Sequence, residues 1–139
     1  MKRRSLIYFG ISLAVFAASS FLPVSAQLQT GVTQRVQFEQ GRFSTIIKGT
    51  VTPGNKDTYI FRARQGQEII MDVVWEGTPV DENEEQGLSG FSFVQPDGKI
   101  FADPQDGYFN AASTGDYRVI IAQPYRLSSP GYTFKLTIR

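Results

Sequence analysis

The sequence predicts an all-β protein, an antiparallel β-sandwich with a jelly-roll-like layout of seven to nine strands, behind an N-terminal signal peptide. Three observations predict this. Short runs alternate apolar and polar side chains with a period of two, the signature of half-buried strands. Turn residues rich in Gly and Pro separate these runs about every ten residues. Beyond the first segment, no window keeps a helical period.

The first 26 residues read as an export signal. Lys2, Arg3 and Arg4 form a basic start, residues 6–22 are apolar or small, and Val24-Ser25-Ala26 is a small-residue exit with cleavage expected after Ala26. Cleavage would leave no membrane-spanning stretch. Residues 27–34 read as a short tether, and residues 35–139 as one sandwich domain. Loss of the signal removes three of the 14 basic residues and none of the 13 acidic ones, leaving a net charge of −2. A mildly acidic domain without a basic run is a poor partner for nucleic acid.

Strand follows strand from Arg35. Val36 and Phe38 alternate with Arg35, Gln37 and Glu39, and Gly41 ends the run. Residues 43–51 are rich in Ile and Thr, with a bend expected near Gly49. Pro53-Gly54-Asn55-Lys56 is a turn. Tyr59, Phe61 and Ala63 then alternate with Thr58, Ile60, Arg62 and Arg64. Gln65-Gly66 reads as a hairpin turn into a paired strand over 68–75. Residues 76–90 carry Gly77, Pro79 and Gly87 with an acidic cluster, and read as a long exposed loop. Phe91 and Phe93 flank Ser92, Pro96-Asp97-Gly98 turns the chain, and 103–107 is another loop. Tyr117, Val119 and Ile121 share a face, and 124–131 reads as a hairpin tip. Tyr132, Phe134, Leu136 and Ile138 alternate with Thr133, Lys135, Thr137 and Arg139 in the last strand.

Two residue types are absent from the chain, Cys and His. Without Cys there is no disulfide and no thiol nucleophile, so the core must hold an exported fold unaided. Without His there is no Ser-His-Asp triad and no ordinary zinc site.

The motif Asp57-x-Tyr59-x-Phe61-x-Ala63-x-x-Gly66-Gln67, preceded by Gly49, resembles the bacterial pre-peptidase C-terminal domain. Pro96-Asp97-Gly98, Gly115-Asp116-Tyr117-Arg118-Val119 and the closing Tyr132-x-Phe134-x-Leu136-x-Ile138 agree in order. Arg35-Val36-Gln37-Phe38-Glu39-Gln40-Gly41, with Ser44 and Gly49, is similar to the opening of periplasmic inhibitors of goose-type lysozyme. The resemblance implies a sandwich of aromatic core residues and a non-catalytic role in the periplasm or outside the cell. It also implies an inhibitory surface on loops, including 123–131, whose basic residue is Arg126.

The resulting expectation is an exported, non-catalytic binding domain of the bacterial envelope, with a protein partner such as a lysozyme. Tyr108, Tyr125 and Arg126, in loops rich in Gly and Pro, are the candidate partner contacts, since aromatic and Arg side chains anchor interfaces. An alternative is a calcium-dependent module for polysaccharide or protein, with Asp81, Glu82, Glu84 and Glu85 offering oxygen ligands. A further alternative is a carboxylate-dependent hydrolase using Asp103 and Asp106, although no paired-acid motif marks them. Turn chemistry accounts for Asp97, Asp103 and Asp106, and solvation for the outward row of Arg62, Arg64 and Arg118.

Overall fold

A computed structural model describes residues 31–81 and 88–139. The signal peptide, the first half of the tether (residues 27–30), and Glu82, Glu84 and Glu85 lie outside these residues. The compact unit runs from Val32 to Arg139. Its described residues form nine strands: β1 (Thr33–Arg35), β2 (Ser44–Thr50), β3 (Asp57–Ala63), β4 (Glu68–Trp75), β5 (Phe91–Val94), β6 (Ile100–Ala102), β7 (Tyr108–Asn110), β8 (Gly115–Ile121) and β9 (Gly131–Ile138). They form a five-stranded sheet in the order β1-β3-β8-β5-β6 and a four-stranded sheet in the order β2-β9-β4-β7. All pairings are antiparallel except β1 with β3, which is parallel. This is the expected all-β sandwich.

The period-two patterns set which face each strand buries. Tyr59, Phe61 and Ala63 of β3 are buried, as are Tyr117, Val119 and Ile121 of β8 and Tyr132, Phe134, Leu136 and Ile138 of β9. Their alternate neighbours face outward because the pleat sends successive side chains to opposite sides. Aromatic rings fill the space between the sheets. Phe93 from the five-stranded sheet meets Phe109 from the four-stranded sheet at 4.4 Å between ring centroids, and stacks on Tyr117 at 5.5 Å. Such pairs contribute roughly 0.5–1.5 kcal/mol beyond the area they bury.

Two connections differ from expectation. β3 and β4 are not a hairpin: they lie in different sheets. Gly66, at φ +90°, reverses the chain, but its N–H donates to Ala111 O rather than across to β3. Glu68 and Arg139 then exchange backbone bonds, which carries the chain into the second sheet. Residues 124–131 likewise cross between sheets, from β8 to β9, instead of forming a hairpin tip. The strand expected over 35–39 is also displaced. β1 begins at Thr33, inside the expected tether, and ends at Arg35, after which Val36 N makes a last bond to Ile60 O at 2.8 Å.

A buried polar node joins the sheets. Asp57, 2% exposed, is the one charged residue in the described core. Its Oδ2 accepts the Tyr132 hydroxyl at 2.5 Å, and its Oδ1 accepts Val32 N–H at 3.0 Å. The hydroxyls of Tyr132 and Tyr59 lie 2.7 Å apart. No buried side-chain polar atom among the described residues lacks a partner. Burial is the main cause that raises the Tyr132 phenol far above its ordinary pKa, with the bonds to Asp57 and Tyr59 adding to it. Burial raises Tyr59 as well.

Candidate functional site at the loop end

Register places several connections at one end of the sandwich. β3 starts, and β8 ends, at the Asp57–Ile121 pair, β5 starts opposite Ile121, and β4 ends at Trp75 opposite Tyr132. The segments before β3, after β4, after β6 and after β8 therefore open from this end.

These loops are tied together. Val80 N–H donates to Arg126 O and Ser128 N–H to Thr78 O, both at 2.9 Å, and Pro79 bridges Leu127. Thr78 N–H also donates to Ser128 Oγ at 3.0 Å. Gly77 permits this approach, since a β-carbon there would collide with the Ser129 backbone. Gln123 fastens the second loop, its Nε2 donating to Val51 O at 2.8 Å and its Oε1 accepting Leu127 N–H at 3.2 Å. The early part of the expected exposed loop is thus a short ladder with buried Leu127 at its base.

Trp75 closes β4, just before the ladder in the chain. Its indole N–H donates to Ser89 O at 3.1 Å, and its ring meets Tyr132 edge-on at 5.4 Å. Asp103 anchors the neighbouring loop. Its Oδ1 accepts Ser89 N–H at 2.6 Å, the Ser89 hydroxyl at 2.5 Å and Gly90 N–H at 3.1 Å. Asp103 has φ +45°, a conformation that Asp tolerates better than most side chains.

A groove of about 380 Å³ runs along the outer face of the five-stranded sheet at this end. Ile100, Ala102, Ile120, Ala122 and Pro124 supply apolar lining, and Lys56, Asp103 and Gln123 supply polar groups. Apolar walls with a few placed polar groups suit a partner's side chain or a small ligand. Lys56 has no ion-pair partner among the described residues.

The three candidate contacts do not form one site. Tyr125 and the exposed Arg126 lie in the loop-end ladder. Tyr108, 42% exposed, is on β7, paired with Ile70 near the start of β4. From Ile70 to Trp75 β4 runs roughly 16 Å, which sets Tyr108 toward the opposite end of the strand from the ladder. A bond to Glu68 is the main cause that raises the Tyr108 phenol's pKa.

The acidic residues have structural tasks. Asp97 Oδ1 accepts Lys99 N–H and Asp106 Oδ1 accepts Tyr108 N–H, as turn carboxylates do. Asp103 is occupied by Ser89 and Gly90 of the neighbouring loop, and not by its own turn, whereas Asp106 is occupied by the local Tyr108 N–H. Of the calcium candidates only Asp81 lies within the described residues, among which no group of three or more Asp or Glu side chains is placed to hold a metal. Arg62 and Arg118 face outward as expected, and nearby Arg35 pairs with Asp116 at 2.6 Å. That bond is the main cause that lowers the Asp116 pKa. Sequence reasoning missed the groove, because its lining comes from separate strands and loops.

No protein-family model matches the chain, and no curated protein does. Solved structures do. A mutant of PliG from Escherichia coli, a periplasmic inhibitor of g-type lysozyme, aligns with a TM-score of 0.59 at 18% identity, over 79% of this chain and 100% of its own. PliG from Salmonella Typhimurium, another periplasmic inhibitor of g-type lysozyme, aligns with a TM-score of 0.56 at 20% identity, over 79% of this chain and 100% of its own. The pre-peptidase C-terminal domain of a Bacillus anthracis collagenase aligns with a TM-score of 0.42 at 20% identity, over 77% of this chain and 94% of its own. The chain thus has the fold of the PliG inhibitors, one of the two kinds of protein that its sequence resembles.

Proposed function

We propose that this chain is an exported, non-catalytic protein-binding domain of lysozyme-inhibitor type, acting in the periplasm on a goose-type lysozyme. The observation that carries the reading is alignment over the full length of the Escherichia coli inhibitor, with no large part of that fold missing. The basic, apolar and small-residue order of residues 1–26 supports export. The lack of Cys and His, and the backbone bonds made by Asp103 and Asp106, favour binding over catalysis.

The loop end is the docking surface in this reading. Its loops are cross-bonded before any partner arrives, which lowers the ordering cost of binding. The half-buried Tyr125 and the exposed Arg126 follow the groove-lining Pro124 in the chain, and would supply the aromatic and cationic anchors that interfaces favour. Tyr108 would contact only a partner that also reaches the far end of β4. Inhibition of goose-type lysozyme by the purified protein tests the function, and Tyr125 and Arg126 substitutions test the surface.

A further inference from the structure

The sheet edges are unequal. β1, β6 and β7 close three of the four edges with three residues each. β2 closes the fourth with seven, Ser44-Thr45-Ile46-Ile47-Lys48-Gly49-Thr50. Short strands are one way proteins blunt an edge, and β2 lacks that protection. Its exposed apolar groups are large: Ile46 is 63% exposed and the preceding Phe43 is 66% exposed.

The hydrogen-bond phase of β2 follows from its ends. Ile138 N–H donates to Phe43 O, and Val51 N–H donates to Pro130 O. Odd-numbered residues therefore bond toward β9, because an antiparallel ladder alternates between bonded and non-bonded pairs. The N–H and C=O groups of Ser44, Ile46, Lys48 and Thr50 point to the open side. None of these eight groups meets a backbone partner there among the described residues.

We propose that the β2 edge pairs antiparallel with β2 of a second copy of this chain, joining two four-stranded sheets into one of eight strands. A two-fold axis through the edge keeps inner faces with inner faces. One register uses all eight groups: Ser44 opposite Thr50 of the second copy, Ile46 opposite Lys48, and Ile47 opposite Ile47. Shifting it one way leaves two groups unused, and shifting it the other way also sets Lys48 against Lys48. Charge favours the same register. A groove of about 450 Å³ beside Ser44 and Ile46 is walled by Gln37, Glu39 and Arg42. Lys48 of the second copy would enter there, near the exposed carboxylate of Glu39, which it would share with Arg42, the intrachain partner of Glu39 at 3.5 Å.

The chain has no native cysteine, so one introduced thiol reports the register. Ile47 would face its own copy in a non-bonded pair, where Cα atoms lie about 4.5 Å apart, within disulfide range. Mild oxidation of Ile47→Cys should give a covalent dimer, and Thr45→Cys, which would face Gly49, should not. Sedimentation of the unmodified protein should show a dimer that forms reversibly between micromolar and hundred-micromolar concentration. Ile46→Lys, on the solvent face, sets like charges opposite Lys48 twice per dimer and should weaken association about tenfold, with thermal unfolding checking that the fold is kept. A monomer at hundred-micromolar concentration overturns the proposal, whether or not the edge accepts an unrelated peptide. A dimer indifferent to Ile46→Lys, or one that cross-links equally at residues 45 and 47, overturns it as well.

Discussion

The Tyr132 hydroxyl donates to the Asp57 carboxylate at 2.5 Å, and together with the 2.7 Å bond between the Tyr132 and Tyr59 hydroxyls it joins the two sheets through their core. Asp57 opens β3 and Tyr132 lies near the start of β9, 75 residues apart in the chain. Tyr132→Phe keeps the ring but removes the donor from a buried acceptor. It should cost about 2–3 kcal/mol, read as a lower urea midpoint with an unchanged slope. Tyr59→Phe removes only the neighbouring hydroxyl and should cost about 1 kcal/mol.

The same node sets an alkaline limit on stability. Unfolded tyrosine ionises near pH 10, whereas burial, with the bonds to Asp57 and Tyr59, holds folded Tyr132 neutral well beyond that. A folded pKa raised above the unfolded one gives stability that is complete below the unfolded value and is lost as pH climbs past it. The unfolding free energy should therefore fall between about pH 9 and 11, and fall less steeply in Tyr132→Phe. Equal slopes in the two proteins would show that the node is not responsible.

Tyr132 also lies against Gly49, its ladder partner on β2. A β-carbon at Gly49 would collide with the phenol ring. Gly49→Ala should destabilise the protein by about 1–3 kcal/mol, as overpacking does. The penalty should shrink when Tyr132 is also replaced by Leu, because neighbouring substitutions are not additive. Thermal unfolding of the double-mutant cycle measures this.

Asp103 combines left-handed backbone with three accepted hydrogen bonds. Asp103→Gly keeps the backbone conformation and loses the bonds, whereas Asp103→Ala loses both. Both variants should be less stable than the parent, and Ala more so than Gly by several tenths of a kcal/mol. Hydrogen exchange at Ser89 and Gly90 should quicken in both.

Much of the fold was legible in the chain. Alternation in β3, β8 and β9 named their buried faces because the pleat admits only two orientations. The sheet assignment of β4 was not legible. Gln65-Gly66 reports that the chain turns, and not which strand receives the next N–H. That depended on Ala111 and Arg139, far along the sequence. Asp57 was visible as part of a motif, but its partners Val32 and Tyr132 are distant in the chain. The separation of Tyr108 from Tyr125 was hidden for a similar reason: both stand in turn-rich sequence, and only the register of β7 on β4 puts them apart.

That separation divides the candidate contacts. Tyr125→Ala with Arg126→Ala should weaken lysozyme inhibition at least about tenfold, the loss expected from central anchors. Tyr108→Ala should change it much less. The reverse pattern would move the docking surface to the far end of β4.

The central claim is tested most directly by titrating purified protein into a fixed amount of goose-type lysozyme and following lysis of bacterial cell walls. The proposed function calls for inhibition that saturates near one copy per enzyme when the enzyme concentration exceeds the dissociation constant. Full lytic activity in the presence of micromolar folded protein would contradict it.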